Sequence, residues 1–212
     1  MKIYIINIDN DAQNITNTLN NIGISNFELV DLYQVVNVNE FFESQNKEVF
    51  NKYYDRDISY SELNNVITHQ NIYKKIIDNN ENAIILENNI EFLNNNILDE
   101  VAHASIPFDF NVIFLNDMVN NNDWYRSPLI TADSKFINNH KCIKIKLWNN
   151  LYGSVVFNQI HWWRAYSYII SPQGAKKALE SNYPVSNVVD GWFHLNIGDS
   201  VYKFETPLFS QH

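Results

Sequence analysis

The sequence predicts one α/β domain whose central sheet contains parallel strands. The apolar run at 83–86, and the segment 110–115, which is apolar except for Asn111, are typical of strands that are buried on both faces of a parallel sheet. The chain also opens with a strand, a helix and a second strand in succession, which predicts a parallel pair joined by a helical crossover. Its 212 residues are enough to bury one sizeable core without disulfides or metals.

The opening unit is predicted from residues 2–32. An apolar strand at 2–8 is ended by the turn residues 9–11. Residues 12–22 then carry apolar side chains at helical spacing, and 27–32 has the composition of a second strand.

The clearest predicted helix starts at Ser59. Ser59 and Glu62, three residues later, form a capping-box pattern, and apolar residues from Leu63 to Ile77 follow one helical face. Polar residues 78–82 end this helix before the strand at 83–86. The preceding segment, 37–60, has no clear period apart from a short helix at 39–46.

The second half of the chain is predicted to alternate strands with one long loop. Residues 116–139 are polar and predict a loop of a length that is often functional. Ser171 at the cap and Pro172 in the first turn start a helix, and a shorter helical stretch follows at 188–195. The strands predicted here lie at 110–115, 142–147, 153–157 and 165–170.

The composition bears on partners and compartment. A formal net charge of −9 argues against nonspecific nucleic-acid binding and against an anionic membrane surface, although one nucleotide could still bind locally. Cys142 is the only cysteine, which excludes an intrachain disulfide and a cysteine-based metal site. No apolar run approaches the roughly 18 residues of a membrane span, and the first residues have no signal-peptide pattern. We therefore expect a cytoplasmic protein without a transmembrane segment.

Three segments carry a family resemblance: YIINIDND at 4–11, SELNNVITHQNIYKKIIDNNENAIILENNIEF at 61–92, and AYSYIISPQGAKKALESNYPVSNVVDGWF at 165–193. The second joins a Glu-led helix to an apolar strand that ends in Glu87-Asn88-Asn89. The third joins a strand, a Ser-Pro-x-Gly-Ala-Lys-Lys helix and a late aspartate, Asp190. In this order and spacing the chain resembles the family 25 glycosyltransferases, which include bacterial lipooligosaccharide and collagen galactosyltransferases.

This resemblance implies a GT-A-like fold with a mixed, mostly parallel central sheet flanked by helices. It implies that a nucleotide-sugar donor, most simply a UDP-sugar, binds at the carboxyl ends of the strands, which agrees with the general rule for open α/β sheets. The implied reaction is the inverting transfer of a hexose to a hydroxyl of a glycan or glycoconjugate acceptor.

The resemblance also assigns donor and metal positions. In the family, carboxylates after the apolar strand hold a divalent cation, Mn²⁺ or Mg²⁺, that bridges the donor phosphates. Glu87 matches that motif, whereas Asn88 and Asn89 stand where the family has two aspartates. We expect cation binding through Glu87 and Asn89 to be weakened, with His194 as a further candidate ligand. Ile8 and Asp9 follow the first strand on the donor side, in a loop that lacks the family's arginines.

The catalytic candidates come from the two other matching segments. Asp190 is the first candidate for the base or for a carboxylate that organises the site. Glu62 and His69 match the family's Glu-led helix and its Ser-His pair, here Thr68-His69, although the spacing of His69 also suits a buried structural histidine. Asp117 is a further candidate carboxylate, in case the aspartates missing at positions 88 and 89 are replaced elsewhere in the chain.

Three functional hypotheses remain open. The leading one is an active glycosyltransferase. The alternative is a catalytically weakened family member that acts as a binding or scaffolding subunit. A third is a cation-independent transferase in which a basic residue, Arg126 or Arg164, replaces the metal.

Overall fold

The structure is a computed structural model that describes residues 1–8, 12–34, 43, 45–116, 129–146, 166–189, 191–192 and 195–211. The helices are α1 (Gln13–Asn21), α2 (Lys47–Tyr54), α3 (Tyr60–Asn79), α4 (Asn95–His103) and α5 (Pro172–Ser181). The strands are β1 (Lys2–Asn7), β2 (Phe27–Asp31), β3 (Ala83–Glu87), β4 (Ile90–Phe92), β5 (Val112–Phe114), β6 (Leu129–Ile137), β7 (His140–Lys146), β8 (Ser167–Ile170), β9 (Val201–Phe204) and β10 (Phe209–Gln211).

One large mixed sheet organises the molecule, in the strand order β2-β1-β3-β8-β5-β9-β7-β6. Strands β2, β1 and β3 are parallel, β8 is inserted antiparallel between β3 and β5, and β5 is parallel to β9. Strands β4 and β10 form a separate antiparallel pair. Within the described residues, no helix is long and apolar enough to cross a membrane.

Helices cover both faces of the sheet. Apolar residues of α1 and α4 pack on one face, against alternate residues of β1, β3 and β5. Residues of α3 and α5 pack on the opposite face, and α2 packs against the first half of α3. Because both faces are covered, the central strands are apolar at nearly every position, as the sequence predicted. The GT-A-like α/β fold class is confirmed.

The start of α3 is the capping box that the sequence predicted. The Ser59 hydroxyl accepts from the backbone N–H of Glu62, and the Glu62 carboxylate accepts from the backbone N–H of Ser59. Asn80 ends the helix in the left-handed conformation, with φ 51°.

The Ser-Pro-x-Gly segment joins α5 to the sheet. The Ser171 hydroxyl accepts from the N–H of Gly174 and donates to the carbonyl of Phe110, which leads into β5. A Cβ on Gly174 would overlap the backbone of Asn111, so the close approach of helix and strand requires glycine. Ser171 and Gly174 of this motif therefore have structural roles.

Two predicted elements are wrong. The second part of the predicted loop 116–139 is strand β6, which pairs with β7 as a hairpin at the edge of the sheet. Such an edge strand tolerates polar residues, so its sequence lacks the apolar signal of a central strand. In the predicted helix at 188–195, the described residues are not helical, because side chains of the preceding loop hold the backbone in turns.

Other elements were not predicted from the sequence, namely α2, α4, β4, β9 and β10. The predicted strand at 153–157 and most of the predicted helix at 39–46 lie outside the described residues.

Candidate active site

The carboxyl ends of the parallel strands lie together at one edge of the sheet. Strands β1, β2 and β3 end there at Asn7, Asp31 and Glu87. Because β8 runs in the opposite direction, its first residue, Ser167, lies at the same edge, opposite Leu86. This edge is where ligands bind in open α/β sheets.

Glu87 is buried at this edge, with only 6% of its surface exposed. Its backbone N–H donates to the carbonyl of Tyr166, and the side chain follows Ile85 on the face covered by α3. There the carboxylate oxygen Oε1 accepts from Nδ2 of Asn65 at 3.3 Å. The same oxygen lies 3.7 Å from Nε2 of His69, close enough for electrostatic attraction but too far for a good hydrogen bond.

His69 is buried and belongs to a short hydrogen-bonded chain. Its Nδ1 lies 2.7 Å from the hydroxyl of Tyr168, which lies 2.8 Å from the hydroxyl of Tyr73. Burial raises the pKa of Tyr73, so this phenol stays protonated at neutral pH. Since Glu87 faces Nε2, the favoured arrangement for a neutral imidazole has the proton on Nε2 and the Tyr168 hydroxyl donating to Nδ1.

Several buried polar atoms near Glu87 have no hydrogen-bond partner within the described residues. They are Nε2 of His69, Oδ1 of Asn65, Oδ1 of Asn89 and Nε1 of Trp192. The Trp192 ring packs edge-on against Tyr168, with the centroids 5.1 Å apart. Unpaired buried polar groups are rare and costly, and two of these belong to Asn65 and His69, the side chains that face the Glu87 carboxylate at the edge where a ligand would bind. We interpret this group as the candidate active site.

Asn88 is held by strand-end hydrogen bonds. Its Oδ1 accepts from the backbone N–H of Ile8 at 2.9 Å, and its Nδ2 donates to Oδ1 of Asn7 at 3.3 Å. Its own backbone N–H donates to the carbonyl of Ile6. Ile8, Glu87, Asn88 and Asn89 therefore lie together, as their predicted shared role on the donor side requires.

Glu62 lies apart from this group, two helical turns before His69, or about 10 Å along α3. In addition to its capping bonds, its carboxylate makes an ion pair with Arg56. Although burial opposes ionisation, the bonds from Arg56 and Ser59 hold the pKa of Glu62 below its usual value. In this structure its carboxylate supports the start of the helix.

The other predicted site residues lie outside the described residues: Asp9, Asp117, Arg126, Arg164, Asp190 and His194. The neighbours of Asp190 are described. The side chain of Asn187 donates to the carbonyl of Gly191 and accepts from the hydroxyl of Tyr54. Trp192 is buried and packs against Tyr168, which bonds to His69 of the Glu87 group.

The motif residues do not fit a divalent cation. Both polar atoms of the Asn88 side chain are engaged, and the Oδ1 atom of Asn89 is buried. Glu87 faces Asn65 and His69 and is the single carboxylate among the three motif positions. Within the described ranges, no group of three or more histidine, cysteine, aspartate or glutamate residues could hold a metal ion. A hard cation prefers several accessible oxygen ligands, which these side chains do not provide.

The sequence did not single out Asn65, Tyr73, Tyr168, Asn7 or Asp31 as site residues. Asn65 precedes His69 by four positions, so helical spacing could have placed it on the same face. Tyr168 offered no such signal, because it reaches His69 across 99 positions of the chain through the sheet.

Comparison with known proteins identifies one family. A family model described as "Glycosyltransferase family 25 (LPS biosynthesis protein)" matches residues 1–192. No curated protein matches the chain significantly.

Proposed function

The chain belongs to glycosyltransferase family 25, and we propose that it transfers a hexose from a nucleotide diphosphate sugar, most simply a UDP-sugar, to a hydroxyl of a glycan acceptor with inversion. Glycosyl transfer in lipopolysaccharide biosynthesis is the activity described for the family. The observation that carries the proposal is the family match over residues 1–192, which spans the whole candidate active site.

In the proposed reaction the acceptor oxygen forms a bond to the anomeric carbon while the bond from that carbon to the diphosphate oxygen breaks. The diphosphate leaves with the bonding electron pair, and a base takes the proton of the acceptor hydroxyl. We assign the base to Asp190, on its match to the late aspartate of the family. The anchoring of Asn187 and Trp192 on either side supports this assignment.

Glu87 and His69 are proposed to act on the donor side. Glu87 is buried, retains acceptor capacity beyond its bond to Asn65, and faces the imidazole of His69. A carboxylate in such a place can accept a hydrogen bond from a sugar hydroxyl and so orient the ring. The bond from Tyr168 fixes the His69 ring and thereby keeps Nε2 directed at Glu87.

We propose that donor binding depends little on Mn²⁺ or Mg²⁺, since the motif positions do not fit a cation. The charge of the departing diphosphate then needs another positive group, for which Arg126 and Arg164 are the candidates. Glu62 is the weakest of the catalytic candidates, because Ser59 and Arg56 already engage its carboxylate.

One observation favours the second candidate function, a binding or scaffolding subunit that has lost activity. Asn88 stands in place of a family aspartate and its side chain is committed to strand-end bonds. Such a subunit would keep the fold and a sugar or nucleotide site while an active partner performs transfer.

The test is a thermal-shift and calorimetric titration with nucleotide diphosphates and nucleotide sugars, with Mn²⁺ and with a chelator, followed by a product assay. The proposed function predicts binding of one donor class and sugar transfer that is lost in Asp190→Asn. Binding without transfer would favour the scaffolding subunit. Absence of binding to every nucleotide would overturn both the donor proposal and the activity, and binding abolished by the chelator would overturn the claim of low cation dependence.

A further inference from the structure

A chain of hydrogen bonds crosses the carboxyl ends of three neighbouring strands. The backbone N–H of Ile8, just after β1, donates to Oδ1 of Asn88, just after β3, at 2.9 Å. Nδ2 of Asn88 donates to Oδ1 of Asn7 at 3.3 Å, and Nδ2 of Asn7 donates to Oδ1 of Asp31, at the end of β2, at 3.0 Å. The two amides thus link β3, β1 and β2 in one series.

The direction of this chain is fixed at both ends. The N–H of Ile8 can only donate, so Asn88 must present its oxygen there and its NH₂ group to Asn7. The carboxylate of Asp31 can only accept when it is ionised, so Asn7 must present its NH₂ group there and its oxygen to Asn88. Both amide orientations follow from the chemistry of the end groups, and the two requirements agree at the central bond.

We propose that Asn88 is a positioning residue, which holds the backbone of Ile8 at the start of the donor-side loop by means of this one-way chain to Asp31. Its role toward the donor rests on the proposed function. Opposite the acceptor Asp31, this clamp between strand ends requires a side chain at position 88 with both an acceptor and a donor.

A carboxylate at position 88 conflicts with the chain. One of its oxygens could still accept from Ile8, but the other would face the oxygen of Asn7. Rotating the Asn7 amide would repair that contact and turn the Asn7 oxygen toward the carboxylate of Asp31. In either orientation of the Asn7 amide one of the two side-chain bonds is lost and two acceptors face each other, so we expect Asn88→Asp to destabilise this protein.

The same reasoning identifies the compensating change. With Asp31→Asn in addition to Asn88→Asp, both side-chain bonds can form in the opposite direction, while the Ile8 N–H still donates to position 88. The amide at position 31 donates to the Asn7 oxygen, and the Asn7 NH₂ group donates to the new carboxylate. Asp31→Asn alone keeps the original direction, because an amide oxygen still accepts from Asn7.

The experiment is a double-mutant cycle on the full chain, read first as the melting temperature. We expect Asn88→Asp to lower it by about 3–6 °C, Asp31→Asn to change it by less than about 2 °C, and the double variant to recover more than half of the loss. Asn96→Asp on α4 is the matched control for the added charge, because Asn96 is exposed, and it should not lower the melting temperature. Additive effects of the two changes, or no loss in Asn88→Asp, would overturn the hydrogen-bond chain.

The second measurement is the affinity for a nucleotide diphosphate sugar, by calorimetry in the presence of a chelator. If Asn88 positions the donor-side loop, affinity falls on the order of 10-fold in Asn88→Asp and recovers in the double variant. Recovery of the melting temperature without recovery of affinity would limit the clamp to stability and overturn its role in positioning. A wild-type protein that binds no nucleotide would refute the proposed function. The double-mutant cycle read by melting temperature would still test the series of hydrogen bonds from Ile8 to Asp31.

Discussion

Glu87→Gln is the most informative single substitution, because it removes a charge with almost no change of shape. The Glu87 side chain is 9% exposed, accepts one bond at 3.3 Å from Asn65 and lies 3.7 Å from Nε2 of His69. Both distances are long for charge-assisted hydrogen bonds, which lie near 2.7–2.9 Å. These two long contacts therefore compensate only in part for the loss of solvation that burial imposes on a carboxylate.

The magnitudes follow from this balance. Desolvation of a buried carboxylate costs several kcal/mol, and one long bond recovers about 1 kcal/mol of it. Glu87→Gln keeps an oxygen for Asn65 and removes the charge, so we expect the free energy of unfolding to rise by about 1 kcal/mol. For a chain of this length that corresponds to a melting temperature higher by about 2–4 °C. If the carboxylate orients the donor, loss of a charged hydrogen bond lowers transfer by at least about 10-fold.

The assay combines thermal unfolding with a transfer measurement on the same preparations. Glu91→Gln is the matched control, because Glu91 is an exposed glutamate on the adjacent strand β4 and should change neither quantity. Higher stability with lower transfer would indicate that Glu87 is retained for function at a cost in stability. A melting temperature lower by more than about 3 °C with unchanged transfer would refute the reasoning and make Glu87 a structural residue.

Three further predictions concern the fold around the site. Gly174→Ala would bring a Cβ within 2.7 Å of the carbonyl carbon of Asn111. We expect the resulting shift of α5 to lower the free energy of unfolding by about 2 kcal/mol, measured by urea unfolding. An unchanged urea midpoint would contradict the close approach of helix and strand. Burial raises the pKa of Cys142 to about 12, so native protein at pH 8 should resist thiol reagents until it unfolds, and fast labelling would contradict this burial. The contribution of the buried, protonated thiol to the free energy of unfolding is fully present below the pKa that Cys142 has in the unfolded chain. It is lost as the pH rises toward about 12. Bonds from Arg56 and Ser59 hold the pKa of Glu62 below the usual glutamate value of 4.5. Glu62→Gln should therefore lower the free energy of unfolding by about 1 kcal/mol at pH 7, and this difference from the wild type should shrink as the pH falls below 4.5. A difference that does not depend on pH would contradict the ion pair.

The elements that the sequence predicted correctly have local causes. Helix α3 begins with a capping box whose two partners are three residues apart, and α5 begins with Ser171 and Pro172 in adjacent positions. The central strands are recognisable because burial on both faces leaves a continuous apolar run. In each case the physical reason lies within a few residues of the element itself.

The prediction of the site was partial for the same reason. Glu87, Asn88 and Ile8 were proposed as donor-side residues from the family resemblance, and in the structure they are neighbours at the ends of β1 and β3, while their roles stay a prediction. The wrong loop at 116–139 contained β6, whose polar edge position removes the pattern by which a buried strand is recognised.

The sequence by itself determined the α/β class, the parallel opening unit and the family. Only the tertiary structure decided what the remaining groups do. Tyr168 reaches His69 because β8 is inserted antiparallel beside β3, and Asp31 reaches Asn7 because β2 lies parallel to β1. Hydrogen bonds act over about 3 Å whatever the separation along the chain, so the pairing of strands, and not the spacing of residues, determines which polar groups meet.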